Sequence, residues 1–312
     1  MRIYVAGHRG LVGSAIVRAI ESGNSHTWIG KTHAALDLLD RQAVFAYVKE
    51  AKPDAVIIAA AKVGGIVSNK TYPVEFLSQN LQIETNLLDA CYAADIERVL
   101  FLGSSCIYPK FAEQPIKEEY LLTGPLEPTN EAYALAKIAG LKLVQAYRKQ
   151  YGRNWISAMP TNIYGPGDNF DLENSHVLPA LIRKFHEAKL AGKSEVQLWG
   201  TGSPKREFIH SDDLASACLF LLETYDGEIP LNIGSGVEIS IWELANMISE
   251  IVGFEAEVNW DNSKPDGTPR KMLDITRLSG LGWRSKIQLK DGIQRVYASF
   301  VEDSYPLMKR ES

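Results

Sequence analysis

The chain has 312 residues, 46% hydrophobic and 23% charged, with a formal net charge of −5. This describes a globular protein that buries a sizeable core in one large domain or two coupled ones. A net negative charge offers no overall attraction to nucleic acid or an acidic membrane, so neither is expected as a partner, and an anionic substrate needs a local cluster of basic residues. The cysteines Cys91, Cys106 and Cys218 lie far apart and form no CxxC pair, which excludes a disulfide framework and a structural zinc site. No metal is expected. The N-terminus opens on a strand-like run without a signal-peptide core, and no apolar stretch is long enough to span a bilayer, so a cytoplasmic location is expected.

In chain order, apolar strand patterns at 3–6, 27–29, 55–59, 99–102 and 156–159 alternate with amphipathic helix patterns at 11–22, 41–51, 73–94 and 133–151. Strands apolar on both faces, alternating with helices, predict a doubly wound parallel α/β sheet of Rossmann type. The second half is less regular. Pro and Gly cluster at 164–168, 200–204 and 264–269, and helices are predicted at 177–190, 212–223 and 240–252. The expected division is a dinucleotide-binding domain over 1–165, with a returning segment near 205–235. A smaller C-terminal α/β lobe over 166–204 and 236–312 would bind substrate.

Directly after the first strand comes Gly7-His8-Arg9-Gly10-Leu11-Val12-Gly13, followed at once by a helix pattern. Glycines there permit a tight turn and close backbone approach, while the helix N-terminus offers free N–H groups to a pyrophosphate. The spacing is GxxGxxG rather than GxGxxG, so its place between strand and helix carries the inference. The segment after the second strand, Gly30-Lys31-Thr32-His33, has no acidic residue to grip a free ribose 2′-hydroxyl. Arg9 and Lys31 can instead pair with a 2′-phosphate, which selects NADP(H).

Tyr133 and Lys137 stand four residues apart at the start of a helix, and so on one face about 6 Å apart along the axis. A free phenol has a pKa of about 10 and exchanges protons poorly at neutral pH, so a nearby ammonium would assist it. The fourth strand ends in Gly103-Ser104-Ser105, where the Ser104 hydroxyl can donate to the same substrate oxygen that Tyr133 protonates. A YxxxK pair alone is commonly a solvent-facing accident. The order glycine loop, Ser, Tyr-x-x-x-Lys is not.

With its C-terminal extension and the NxYGPG segment at 162–167, the chain resembles the extended short-chain dehydrogenase/reductase family. The strings AAAKVGGI (59–66), LGSSCIYP (102–109), EPTNEAYALAKIAG (127–140), NSHVLPAL (174–181) and SKPDGTPRK (263–271) narrow the resemblance, essentially end to end, to its GDP-L-fucose synthase family. That resemblance implies an NADPH-dependent homodimer acting on a GDP-sugar. The implied activity is epimerisation of GDP-4-keto-6-deoxy-D-mannose at carbons 3 and 5, then reduction of the carbon 4 ketone. It also implies catalytic roles for Ser104, Cys106, Tyr133, Lys137 and His176. The implied cofactor residues are 7–13, Lys31, Leu102, Gly103, Ser104, Ser105, Lys137, Pro160, Thr161, Asn162, Ile163 and His176. Lys184, Trp199, Arg206, Asp266 and Lys271 would hold substrate.

The chemistry suits these residue types. Protons beside a ketone are removable because an enolate forms, and inversion needs an acid and a base besides the tyrosine. By resemblance these are Cys106 and His176, the latter able to exchange protons near pH 7. On pattern alone, Cys106 fits a packing residue and His176 a polar cap equally well. Trp199 fits a base-stacking ring or a core side chain. Some relatives carry two arginines where this chain has Lys31 and His33, which leaves NADPH preference on Arg9 and Lys31.

Three rival activities fit parts of the pattern. A 4,6-dehydratase expects an Asp-Glu pair where this chain has Ser105-Cys106. A 4-epimerase needs no extra cysteine–histidine pair, and a non-catalytic NADP-binding sensor has no need of the Tyr–Lys pair. Dimerisation is suggested by the 73–94 helix, apolar around more than one face, and by Ala134, Ala136, Ala139 and Gly140 on the next; burial within one subunit satisfies the same pattern.

Overall fold

The computed structural model of the chain describes residues 1–172, 174–264 and 266–308; Glu173, Pro265 and residues 309–312 of the expected lobe lie outside the described residues. The first half runs β1 (Arg2–Ala6), α1 (Leu11–Ser22), β2 (Thr27–Ile29), α2 (Arg41–Ala51), β3 (Ala55–Ile58), α3 (Ile66–Thr71), α4 (Pro73–Ala93), β4 (Arg98–Leu102), α5 (Glu131–Tyr151) and β5 (Asn154–Pro160). It is followed by β6 (Asn162–Tyr164), α6 (Val177–Leu190), β7 (Glu195–Trp199), β8 (Lys205–His210), α7 (Ser211–Thr224), β9 (Leu231–Ile233) and β10 (Glu238–Ser240). The chain ends with α8 (Ile241–Val252), β11 (Glu257–Asp261), β12 (Arg270–Lys271), α9 (Thr276–Gly280) and α10 (Leu289–Met308).

Six strands form one sheet in the order β2-β1-β3-β4-β5-β9, every pair parallel. This is the doubly wound architecture expected from the alternation. Alternate side chains of each strand serve opposite faces. Ile3, Val5, Ile57 and Leu100 pack against Ile16 and Ile20 of α1 and Leu214 and Leu221 of α7. Tyr4, Val56, Val99 and Phe101 pack against Val44 of α2, Leu87 of α4 and Leu141 of α5. Each fully buried Val, Ile or Leu contributes about 1.5–3 kcal/mol, which explains why the middles of these strands are almost wholly apolar, Ser157 of β5 being a buried exception.

Most of the remaining elements build a lobe, but Leu278 of α9 and Trp283, expected in that lobe, pack instead into the core of the large sheet. β10, β8 and β12 lie side by side, and β6 joins β8 in parallel beyond the end of β12. β7 and β11 form a separate parallel pair. Leu181 and Phe185 of α6, Leu244 and Ile248 of α8, and Ile293 and Phe300 of α10 close a third core over these strands.

Helices α1, α2 and α6 have the predicted bounds, and β2 does too. The short strands β6, β7, β8, β10, β11 and β12 and the helices α3, α9 and α10 are additions to the sequence reading. No helix of the described residues is long and apolar enough to cross a membrane, and among them no cluster of His, Cys, Asp or Glu is placed to hold a metal ion.

Candidate active site

β1 leads outward to β2 on one side, while β3 returns on its other side, so the loops after β1 and β3 diverge and leave a crevice at their C-terminal ends. The crevice continues as one cavity of ≈ 1810 Å³ towards the lobe. Its sheet-side wall is mostly backbone. Gly7 has φ +88°, a left-handed conformation that disfavours a side chain, and a Cβ there would stand 2.8 Å from Ala60 Cα. A Cβ on Gly13 would stand 2.8 Å from His8 Cα, so helix and turn touch only because neither position carries a side chain. Gly10 caps α1 without a side-chain hydrogen bond, leaving first-turn N–H groups free to receive an anion. This is a cradle of the kind a dinucleotide pyrophosphate fills.

Next along the cavity stands Tyr133, in the first turn of α5. The Ser104 hydroxyl hydrogen-bonds its phenol, and Ser104 Oγ also accepts from the N–H of Cys106 at 3.2 Å. Enclosure raises the proton affinity of Tyr133 far above the ordinary phenol range, with negative charge at Cys106 and Glu84 adding to it and Ser104 opposing it. The phenol therefore holds its proton at neutral pH and is set up as a donor. Lys137, one turn on, is buried beneath it with Nζ 5.9 Å from the Tyr133 ring centroid. Its ammonium donates to the carbonyl of Leu102 at 3.0 Å and pairs with Glu84 Oε1 of α4 at 3.0 Å. Removing one partner of a buried ion pair costs about 3–5 kcal/mol, against about 0–1 kcal/mol for an exposed pair such as Arg18–Asp212.

Beyond Ser104 the chain turns sharply and presents Cys106 to the cavity; Cys91 and Cys218 are buried in the cores. Asn130 Nδ2 lies 3.2 Å and Lys271 Nζ 3.5 Å from Cys106 Sγ, so two donors face one sulfur. His176, at the start of α6, opens onto the same cavity. Its proton affinity is lowered, first by enclosure and then by the charge of Lys271, which keeps the imidazole neutral near pH 7.

The lobe supplies cations. Arg206 of β8 and Lys271 of β12 are register partners in a parallel pair, which sets the two side by side on the cavity wall. Lys184 Nζ lies 5.9 Å from the Trp199 ring centroid, and Lys264 Nζ 5.8 Å. Trp199 is 66% exposed and lines the cavity, so it is not a core side chain. Asp266 also lines the cavity, but both its oxygens already accept from Thr201, from the N–H at 2.9 Å and from the hydroxyl at 2.7 Å.

Residues 3–234 match the NAD dependent epimerase/dehydratase family. The chain belongs to that family. An Arabidopsis thaliana relative named GDP-L-fucose synthase 1 is 57% identical over 302 residues, 97% of this chain and 94% of the relative. A Campylobacter jejuni structure described as a GDP-6-OMe-4-keto-L-xylo-heptose reductase superposes with a TM-score of 0.92 at 35% identity, covering 97% of this chain and 98% of that one. A Naegleria fowleri structure described as a GDP-L-fucose synthetase bound to NADP superposes at 0.90 with 29% identity, covering 97% and 95%.

Within this epimerase/dehydratase frame, most residues singled out from sequence meet at one cavity. Gly7, Gly10, Leu11, Val12, Gly13, Lys31, Gly103, Ser104, Ser105, Cys106 and Tyr133 line it, as do Pro160, Thr161, Asn162, Ile163 and His176 and all five proposed substrate residues. Four do not reach the wall. His8 packs its ring on Trp28 at 5.5 Å and against Gly30, while Arg9 is exposed outside. Leu102 lies in the sheet and offers only its carbonyl to Lys137. Lys137 itself lies behind Tyr133. Lys31 does line the wall, with Nζ 5.6 Å from the Tyr47 ring centroid.

Three polar residues were not read from sequence. Asn130 stands three residues before Tyr133 within a string already singled out. Asp168 lines the cavity with Oδ2 buried and unpartnered among the described residues, and burial pushes its carboxyl up to about 7. Glu84 falls on the buried stripe of α4 with Phe76, Asn80, Leu87 and Leu88, and a charge on such a stripe is the signal that betrays it.

Proposed function

We propose that the protein converts GDP-4-keto-6-deoxy-D-mannose to GDP-L-fucose, inverting carbons 3 and 5 and reducing the carbon 4 ketone with NADPH. The observation that carries this reading is the shared cavity: Tyr133 with Ser104 at its centre, and Cys106 and His176 reaching it from the two halves of the chain. A reductase alone has no use for the second pair.

The glycine cradle and the uncapped start of α1 fit a dinucleotide pyrophosphate, and Lys31 fits a 2′-phosphate on its ribose. Bound there, NADPH supplies the hydride that reduces carbon 4. Ser104 and Tyr133 hydrogen-bond the ketone oxygen, which withdraws charge from carbon 4 and makes the neighbouring C–H bonds acidic. Cys106, with two donors on its sulfur, and His176, at the start of α6, form the acid–base pair: one takes a proton from one face of the carbon and the other returns one to the opposite face, so each inversion leaves the pair's proton count unchanged. After inversion Tyr133 gives its proton to the oxygen of carbon 4, and Lys137 holds the phenol in place. Arg206, Lys184 and Lys271 neutralise the diphosphate, and Trp199 offers a face to the base.

A homodimer is part of the same reading. The outer face of α4 and α5 exposes Ala139 and Leu135, the latter 43% exposed, and a second copy of that face covers both. Sedimentation equilibrium giving a monomer removes this part.

The test incubates purified protein with GDP-4-keto-6-deoxy-D-mannose and NADPH and identifies the product by NMR. GDP-L-fucose with stoichiometric NADPH oxidation is expected. A product reduced at carbon 4 without inversion at carbons 3 and 5 makes the protein a simple reductase. Tight NADPH binding without oxidation makes it a sensor.

A further inference from the structure

Glu84 has no part in the chemistry described so far, yet the fold goes to some length to bury it. It lies in the middle of α4, 1% exposed, and directs its carboxylate across the α4–α5 contact to the ammonium of Lys137 at 3.0 Å. Room for it is made by Gly140 of α5, where a Cβ would stand 2.6 Å from Glu84 Oε2 and as close to the Phe101 ring. The Phe101 ring closes the other side, with Lys137 Nζ 4.9 Å from its centroid. The carboxylate is thus enclosed by apolar groups and one cation, and that cation sits under Tyr133.

We propose that Glu84 is a positioning residue that neutralises Lys137 beneath Tyr133, so that Tyr133 keeps its proton and is poised to donate it during reduction. An uncompensated ammonium at that place would draw the phenol towards phenolate, the form suited to removing a proton from an alcohol. With Glu84 in place, the ammonium still fixes the floor of the site through the Leu102 carbonyl while its charge is cancelled locally. The groups that face Tyr133 are Ser104 and Cys106 after β4, Lys137 on its own helix and Glu84 from α4. Phe76 of α4 meets it edge-on at 6.5 Å. Of these, only Glu84 can oppose Lys137 from a fixed, buried position.

This inference rests on the reductive role given to Tyr133 above, so its test has one readout that needs no sugar. In Glu84→Gln, kcat for NADPH-dependent reduction is expected to fall at alkaline pH about one to three units earlier than in the parent enzyme. The phenolate absorbance of Tyr133, isolated by subtracting the titration of Tyr133→Phe, moves down in step. Deuterium uptake at carbons 3 and 5 continues, and Glu84→Gln combined with Lys137→Met restores the alkaline limb. A folded, NADPH-binding Glu84→Gln with an unmoved limb and an unmoved phenolate titration overturns the proposal. If that variant does not fold, Glu84→Asp retains the charge one methylene further back, and a smaller shift in the same direction is expected; no shift there overturns it equally. An enzyme that never reduces the keto-sugar defeats the proposed function, and the phenolate titration still decides the role of Glu84.

Discussion

The two ends of the cavity are made of different material. The sheet end is built from backbone: a left-handed glycine, an uncapped helix start, and strands locked on both faces by cores. The lobe end is built from long side chains on two- to six-residue strands, with Trp199 mostly exposed and Arg206 and Lys271 held side by side by sheet register. On the proposed reading, backbone recognises what is common to every dinucleotide and tolerates no change, whereas side chains recognise one particular sugar nucleotide and are replaced at smaller cost. The proposed catalytic groups stand where the two meet.

The largest effect is expected at that meeting point. Tyr133→Phe lowers NADPH-dependent reduction by about 10²–10⁴-fold, the ordinary worth of a positioned acid, while deuterium uptake at carbons 3 and 5 survives. Cys106→Ser has the converse pattern, losing uptake first. Equal loss of both activities in both variants would erase the division of labour between the groups. Next comes the sheet end. Gly13→Ala puts a Cβ 2.8 Å from His8 Cα in a turn that cannot give, and overpacking of about 1–3 kcal/mol predicts roughly ten- to hundredfold weaker NADPH binding by titration calorimetry. Unchanged affinity would mean that the turn is not a cradle.

At the lobe end the expected changes are milder. Arg206→Ala removes charged hydrogen bonds worth about 1.5–3 kcal/mol, so KM for the GDP-sugar rises about tenfold or more while kcat holds. A fall in kcat with KM unchanged would place Arg206 in the chemistry. The smallest effect concerns Asp168, whose carboxyl is raised to about 7 in the folded state from about 3.9 when unfolded. The folded protein therefore holds that proton more tightly, and stability falls as pH rises from about 4 to about 7. Asp168→Asn is expected to melt several degrees higher than the parent at pH 8 and at the same temperature below pH 4, by scanning calorimetry. Identical curves at both pH values would show that solvent already screens the group.

The same contrast governs how much is legible in the sequence. The central strands of the large sheet are almost wholly apolar between their ends because both faces are covered, so β1, β3, β4 and β5 stand out, while β2, only partly buried, is read from three residues. Strands of two or three residues such as β6, β10 and β12 are too short for any period to show, and only tertiary pairing defines them. Helix α10 is a different case: Ile293, Val296 and Phe300 do repeat at helical spacing, with Gly292 breaking the pattern near its start. In the site, Ser104, Cys106, Tyr133 and Lys137 lie in contiguous strings and are readable. Glu84 shows only as a charge on an apolar stripe; its pairing does not show, because the partner stands on another helix. Arg9, expected from the glycine turn to meet a phosphate, is exposed and does not line the cavity wall.

One stretch of backbone ties the two ends together. β5 and β6 are a single path interrupted only by Thr161, whose N–H donates to Ile233 of the large sheet at 2.9 Å and whose hydroxyl donates to the Glu207 carbonyl of the lobe at 3.2 Å. A strand that belongs to one ladder up to Pro160 and to another from Asn162 has no slack to take up. Turning the lobe about that point would break rungs on both sides at once. The spacing between the glycine floor of the cavity and its lobe wall is therefore fixed like the gauge of a rail, with one threonine as the tie.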